Sequence, residues 1–236
     1  MISSTQKSES FRIFDKIAGK YDFINSVLSL GLHSRWRKKI LPLVPTCESL
    51  VQVLDLATGT GDVALTLAKD RRIGTVNGLD LSEGMIHIGR SKVKKAGFDQ
   101  KIELTVGSAL EIPFPNRAFD MITMAFGIRN VSDVPRCLGE CLRVLKPSGR
   151  VVLLEFALPE STFMRHLHLF YLRHILARVG RTLSGHQSAY SYLNQTIEDF
   201  PYGKEFCGIM KNCGFTRVGY QSLSFGVVHL YWGEKE

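Results

Sequence analysis

The residues with the most chemical potential sit together in Asp55-Leu-Ala-Thr-Gly-Thr-Gly-Asp62. This stretch leaves an apolar run and opens into a helical pattern. Gly59 and Gly61 let the backbone turn tightly and approach a bound group closely. A glycine turn between a strand and a helix places a ligand at the start of that helix. The G-x-G spacing alone fits two cofactor classes, a nicotinamide dinucleotide and S-adenosylmethionine. The carboxylates favour the second. Asp55 near the strand end and Asp62 in the first helical turn would repel a pyrophosphate, which needs that terminus for its own charge. They suit the ammonium and sulfonium of S-adenosylmethionine, which has no phosphate. Asp80 follows a second apolar run, roughly 20 residues beyond the glycines, where a carboxylate accepts both ribose hydroxyls of either cofactor. Ser108 and Ala109 follow a third run, at the turn that lies against an adenine ring in this kind of fold.

These residues need a scaffold, and the hydrophobic pattern supplies one. Residues 51–56, 75–79, 102–106, 119–125 and 151–156 read as apolar strands. Helical patterns at 59–69, 82–96 and 133–145 lie between them, with Ser82 as an N-cap. This alternation predicts a doubly wound, Rossmann-like α/β sheet with both faces covered. A helix over 205–213 and two strands over 215–223 and 227–232 follow, the strands forming a closing antiparallel hairpin. Residues 1–45 read as an N-terminal helical cap and 46–236 as the main domain, with a helical insertion at about 160–200.

Composition narrows the partners. The chain has 236 residues, 44% of them hydrophobic, enough for one full core. The net charge of +8 fits anionic partners without choosing among nucleic acid, membrane and acidic substrate. Basic clusters fall at 35–39, at 90–95 and along 165–181, each readable equally as a solvated helix face. Five cysteines without a C-x-x-C pair argue for a reducing compartment and against bound zinc, so no metal is expected. Cys137 and Cys141, one helical turn apart, read as core. No apolar run is long enough to span a membrane, and Met1–Ser10 lacks a signal-peptide core. A cytoplasmic protein is expected, with access to the cytoplasmic face of the membrane.

Several further motifs resemble one family. Tyr21-Asp-Phe-Ile-Asn25 with Ser29, His33 and Trp36 resembles the N-terminal signature of the ubiquinone/menaquinone-biosynthesis C-methyltransferases. Phe126-Gly-Ile-Arg-Asn-Val131 and Arg143-Val-Leu-Lys-Pro-Ser-Gly149 followed by Glu155 are similar to later motifs of that family. The likeness runs from about Phe11 to the C-terminus, with Ile24, Ser148 and Ala157 departing from the usual pattern. It implies S-adenosylmethionine contacts at Thr60, Asp80, Ser108 and Ala109. It also implies C-methylation of a polyprenylated quinol, with demethylmenaquinol to menaquinol as the expected reaction. The alternatives are a methoxy-polyprenyl-benzoquinol acceptor or an RNA-directed methyltransferase. The Asn-Pro-Pro-aromatic signature for exocyclic base nitrogens is absent, so no nucleic-acid partner is expected.

A quinol ring carbon becomes nucleophilic when a hydroxyl proton leaves. His33 has a suitable intrinsic pKa for that base, though it serves equally as a packing residue. Asp22 could act directly or through water, and Tyr21 could contact the substrate. Arg129 could stabilise the phenolate while Asn130 orients a hydroxyl. Aromatic residues beside arginines in 163–181 fit an anionic membrane surface or, with equal weight, a lid or homodimer face.

Overall fold

The computed structural model describes Asp15, Ser26, Ser29 and residues 31–176 and 187–236. The expected strands are present: β1 (Val51–Leu56), β2 (Ile73–Asp80), β3 (Ile102–Val106), β4 (Phe119–Ala125), β5 (Leu145–Phe156), β6 (Thr216–Leu223) and β7 (Val228–Glu234). They form one sheet in the order β3-β2-β1-β4-β5-β7-β6. β1 to β5 pair in parallel, and β7 is antiparallel to both of its neighbours, β5 and β6. The chain leaves β1 for β2 on one side, whereas β4 continues on the other. The carboxyl ends of β1 and β4 therefore border the switch point, where ligands bind in open α/β sheets.

The helices are α1 (Leu32–Lys38), α2 (Asp62–Ala68), α3 (Glu83–Lys95), α4 (Val134–Val144), α5 (Thr162–Phe170), α6 (Gln187–Asp199) and α7 (Lys204–Asn212). Two apolar layers sandwich the sheet. One joins Val53 and Val152 to Trp36, Leu67 and Ile86; the other joins Leu54 and Leu153 to Cys137, Cys141, Phe206 and Met210. Alternate residues of one strand thus serve opposite layers, so β1 carries apolar residues on both of its faces. Cys137 and Cys141 are core residues, as expected.

Local signals set the helix starts. The Ser82 hydroxyl accepts from the Met85 N–H at 3.1 Å, and Asp133 accepts from the Arg136 N–H at 3.0 Å. Gly31, with φ of +75°, opens α1. Trp36, Ile40 and Val44 join the core shared with β1 and α2, so α1 and the turn after it pack on the sheet layer. Between β5 and α7, the described residues form α5, a π-helical turn at Tyr171–Leu176 and α6, around a small core of Leu158, Leu172 and Ile197. Among the described residues no helix is long and apolar enough to cross a membrane, and no cluster could hold a metal ion.

Candidate active site

The loop after β1 folds over its own carboxylates. Asp55 lies under it with almost no exposed surface. One carboxylate oxygen accepts from the Thr58 hydroxyl and the other from the Thr123 hydroxyl, both at 2.6 Å. Burial pushes its pKa up to about 6, and the two hydroxyls restrain that rise. Gly78 on β2 makes room for this fold: a Cβ there would lie 2.3 Å from Leu104 and 2.9 Å from the Thr58 hydroxyl.

Asp80 ends β2 and holds the next turn of the loop. One oxygen accepts from the Gly59 N–H at 2.8 Å, the other from the Ser82 N–H at 2.9 Å. Each oxygen keeps a lone pair for a ligand hydroxyl. Burial raises its pKa, and the backbone donors oppose that. Gly59 has φ of +56° and open space where a Cβ would be. A glycine carbon facing open space beside a strand-end carboxylate is the cradle that a ribose-bearing cofactor requires. Thr60 is buried beside this turn, and its hydroxyl accepts from the Lys92 ammonium at 3.0 Å. Gly61, at φ of +79°, starts α2. Ser108 accepts from the Leu110 N–H at 3.1 Å and shapes the turn after β3, with Ala109 packed beside the core.

Asp62 corrects the charge argument drawn from the sequence. Its oxygens pair with Arg37 of α1, at 2.6 Å, and with Lys92 of α3. Two cations neutralise this carboxylate, and its pKa falls on their account although burial opposes them. Asp62 therefore ties the cap and α3 to α2 and offers no free negative charge to a cofactor. Lys92 and Arg37 belong to two of the basic clusters, which are thus partly internal rather than solvated. Arg90 is similarly engaged, donating to the Leu104 carbonyl.

Across the switch point, Arg129 and Asn130 occupy a short 3-10 turn after β4. Arg129 is buried, and its Nη1 donates to the Phe126 carbonyl at 2.6 Å and to Glu155 of β5 at 2.7 Å. Its guanidinium lies 5.3 Å from the Phe156 ring centroid. The Nε of Arg129 and the Oδ1 of Asn130 are both buried without a hydrogen-bond partner. Arg37 Nε, Arg150 Nε, His168 Nε2 and Asn194 Oδ1 share that condition elsewhere, but here two such groups fall in adjacent residues beside the switch point. Phe126, Phe156 and Trp36 form an aromatic wall beside them: Phe126 and Phe156 are 4.6 Å apart, and Trp36 lies 6.2 and 6.3 Å from each. The Trp36 indole N–H donates to the Ser224 hydroxyl at 2.8 Å, tying α1 to the turn between β6 and β7.

His33 is half-buried on α1, with Nδ1 2.7 Å from the Ser29 hydroxyl. Tyr21 and Asp22 lie outside the described residues. The structure thus gathers Asp55, Gly59, Thr60, Gly61 and Asp80 around one loop, and Arg129 with Asn130 across from it. Sequence reasoning gave no role to Glu155, Arg37 or Lys92. Glu155 did carry a signal: a lone acid inside Val151-Val-Leu-Leu-Glu-Phe156 requires a buried partner.

A mostly parallel sheet of this order, with a glycine loop after β1 and an acid ending β2, defines a Rossmann-like methyltransferase fold. The same architecture appears in a SAM-dependent methyltransferase from Thermotoga maritima described as a possible histamine N-methyltransferase. Its TM-score is 0.66 at 17% identity, covering 96% of this chain and 100% of that one. The model of the ubiE/COQ5 methyltransferase family matches residues 2–235, and the chain belongs to that family. It is 40% identical over 237 residues to the ubiquinone/menaquinone biosynthesis C-methyltransferase UbiE of Geobacter sulfurreducens, covering 100% of this chain and 92% of the relative. It is 39% identical over 231 residues to the demethylmenaquinone methyltransferase of Bacteroides fragilis, covering 98% and 94%. The protein is a methyltransferase, and S-adenosylmethionine is its methyl donor. The nicotinamide-cofactor reading and the RNA-directed alternative gain no support from this membership.

Proposed function

We propose that the protein methylates a ring carbon of a polyprenylated quinol, converting demethylmenaquinol to menaquinol. The names of both relatives include menaquinone chemistry, which supports this acceptor. The observation that carries the reading is the orphaned pair at the end of β4: the Arg129 Nε–H is a donor and the Asn130 Oδ1 an acceptor. A phenolic hydroxyl needs that combination. The tilted aromatic cluster of Trp36, Phe126 and Phe156 supplies an apolar wall for the ring.

The cofactor half is assigned to Asp55, Gly59, Thr60, Gly61, Asp80, Ser108 and Ala109. Asp80 accepts the ribose hydroxyls, Gly59 gives the close backbone approach, and Gly61 supplies the left-handed turn into α2 against Leu104. Asp55 acts from beneath, holding the loop through Thr58. Thr60 stays in the set through its place in the loop, its hydroxyl being turned to Lys92. Ser108 and Ala109 line the adenine end. When bound, S-adenosylmethionine supplies an electrophilic methyl group to an electron-rich carbon.

The acceptor half must make that carbon electron-rich. Arg129 stabilises the negative charge that develops on the quinol oxygen as its proton leaves. Asn130 accepts from the hydroxyl and sets its orientation. His33, Asp22 and Tyr21 remain the proposed base and substrate contacts of the cap, with Ser29 holding the His33 ring. Incubating the protein with each reduced precursor and isotope-labelled S-adenosylmethionine, followed by mass spectrometry of the quinones, tests the reading. Label in menaquinone is the expected result. Label confined to the benzoquinol product would move the acceptor to the other branch, and label in neither would overturn the proposal.

A polyprenylated acceptor resides in lipid, and α5 offers a surface for reaching it. Phe163, Leu167 and Phe170 stand exposed along α5, and Phe225, in the turn after β6, is 82% exposed. That turn packs against Pro159 just before α5, where a Cβ on Gly226 would meet the Pro159 Cα at 2.9 Å. Arg165 and Arg173 of the basic segment are engaged, with Pro159, Tyr202 and Glu198. The proposed contact is therefore apolar insertion into a bilayer surface, with charge as a secondary aid. Flotation with zwitterionic and anionic vesicles tests it. Binding to both is expected. Binding to neither, with a dimer in sedimentation that Phe163→Asp dissociates, would assign the face to a second copy instead.

A further inference from the structure

We infer that Glu155 is a positioning residue for the methyl-acceptor chemistry, holding the Arg129 guanidinium by one terminal nitrogen so that Nε–H remains free for the acceptor oxygen. This rests on the role proposed above for Arg129. Glu155 has no exposed surface. It accepts three hydrogen bonds: at Oε1 from Arg129 Nη1, 2.7 Å, and from the Phe156 N–H, 2.8 Å, and at Oε2 from the Arg129 backbone N–H, 3.3 Å. One carboxylate therefore fixes both the backbone and the side-chain tip of Arg129. The Phe126 carbonyl shares Nη1 at 2.6 Å, which completes the clamp.

Stability alone explains this pair poorly. A buried ion pair is often no better than apolar side chains of the same volume. Arg129 keeps Nε buried and without a partner, as Arg37 and Arg150 do elsewhere, and what sets it apart is its place at the carboxyl end of β4 beside the switch point. The clamp acts only at the far end of the guanidinium and leaves the near donor in place. Pairing makes the site neutral before the proton leaves, so Arg129 meets a neutral quinol without an uncompensated charge and a developing phenolate with a preset donor.

Gln at position 155 keeps the size but has one acceptor oxygen where Glu has two. Placed to serve Arg129 Nη1 and the Phe156 N–H, it turns its amide donors toward the Arg129 N–H. The clamp then loses its backbone half. The test compares R129M, E155Q, E155D and R129M/E155Q, reading kcat, KM for reduced quinol and for S-adenosylmethionine, cofactor affinity by calorimetry, and melting temperature. E155Q is expected to lower kcat about 10–100-fold with both KM values within about threefold. E155D keeps the charge and should recover about tenfold of that loss. In the R129M background the E155Q change should cost no further turnover, because Glu155 acts through Arg129. Full kcat in E155Q, or an equal and independent loss when it is added to R129M, would overturn the inference. Wild-type turnover in R129M would instead sink the role of Arg129 itself. Should E155Q fail to fold, the double variant contains no unpaired buried charge and carries the comparison with R129M, alongside E155D.

Discussion

Asp55, buried, and Asp80, half-buried, on one side of the switch point and the buried Glu155 on the other are carboxylates satisfied by different chemistry. Asp55 is held by two threonine hydroxyls and Asp80 by two backbone N–H groups. None of these partners carries charge, so the negative charge stays available and burial raises both pKa values. Glu155 is held by a guanidinium, which cancels its charge. The first side suits a cationic cofactor. The second starts neutral with donors to spare and suits an acceptor that becomes anionic. The same residue type therefore serves opposite electrostatic ends, and its hydrogen-bond partners decide which.

The comparison breaks most sharply at Arg129. Arg129→Ala removes the donor and leaves Glu155 without its cation. Turnover should fall about 10²–10³-fold, the range for losing one preorganised donor to a developing anion. Affinity for S-adenosylmethionine should stay within about threefold of wild type by calorimetry. Unchanged turnover with the quinol would mean the second half is not electrostatic in the way described.

The first half can be read through pH. Below its ordinary value of 3.8, the Asp55 carboxyl is protonated in folded and unfolded chains alike. In the folded chain its pKa is about 6, so stability contributed by the protonated form is lost as pH rises through that value. The rise corresponds to about 3 kcal/mol. Asp55→Asn lacks this titration and can still bond both threonine hydroxyls. Its stability relative to wild type should therefore climb by about that amount between pH 4 and pH 7. Parallel melting curves for the two proteins across this range would show the Asp55 site to be otherwise neutralised.

Asp80→Asn offers one acceptor oxygen for the two N–H donors of Gly59 and Ser82 and the ribose hydroxyls. Cofactor affinity should fall about tenfold, with kcat at saturating cofactor nearly unchanged. A loss of kcat without a loss of affinity would move Asp80 out of the cofactor half.

Much of this division was legible in the sequence. Periodicity gave the strands because β1, β4 and β5 have apolar centres bounded by turn residues, and Asp80 ends a strand while Gly59 and Gly61 follow one, where the fold must bind. Ser82 announced its helix because a cap acts on neighbours three residues away. What stayed hidden depends on long-range contacts. Glu155 meets Arg129 across 26 positions and Lys92 meets Asp62 across 30, and no local spacing predicts either pair. Asp62 misled for that reason: its place in the first turn of α2 was read correctly, but its charge belongs to a three-group cluster assembled by the fold.

That cluster yields the smallest and most discriminating effect. If Asp62 served the cofactor, Asp62→Asn would weaken binding as Asp80→Asn does. Paired with Arg37 and Lys92, it should instead change cofactor affinity by less than about threefold, because partly exposed pairs contribute little and no free charge is lost. Its signature should be mechanical. Arg37 would lose its anchor on α2 while Trp36 kept its bond to Ser224, so amide exchange should quicken in α1 before it changes in the β1 loop. Arg37→Met should reproduce that pattern from the other partner. Faster exchange in the loop with α1 unaffected would return Asp62 to the cofactor half, where the sequence first placed it.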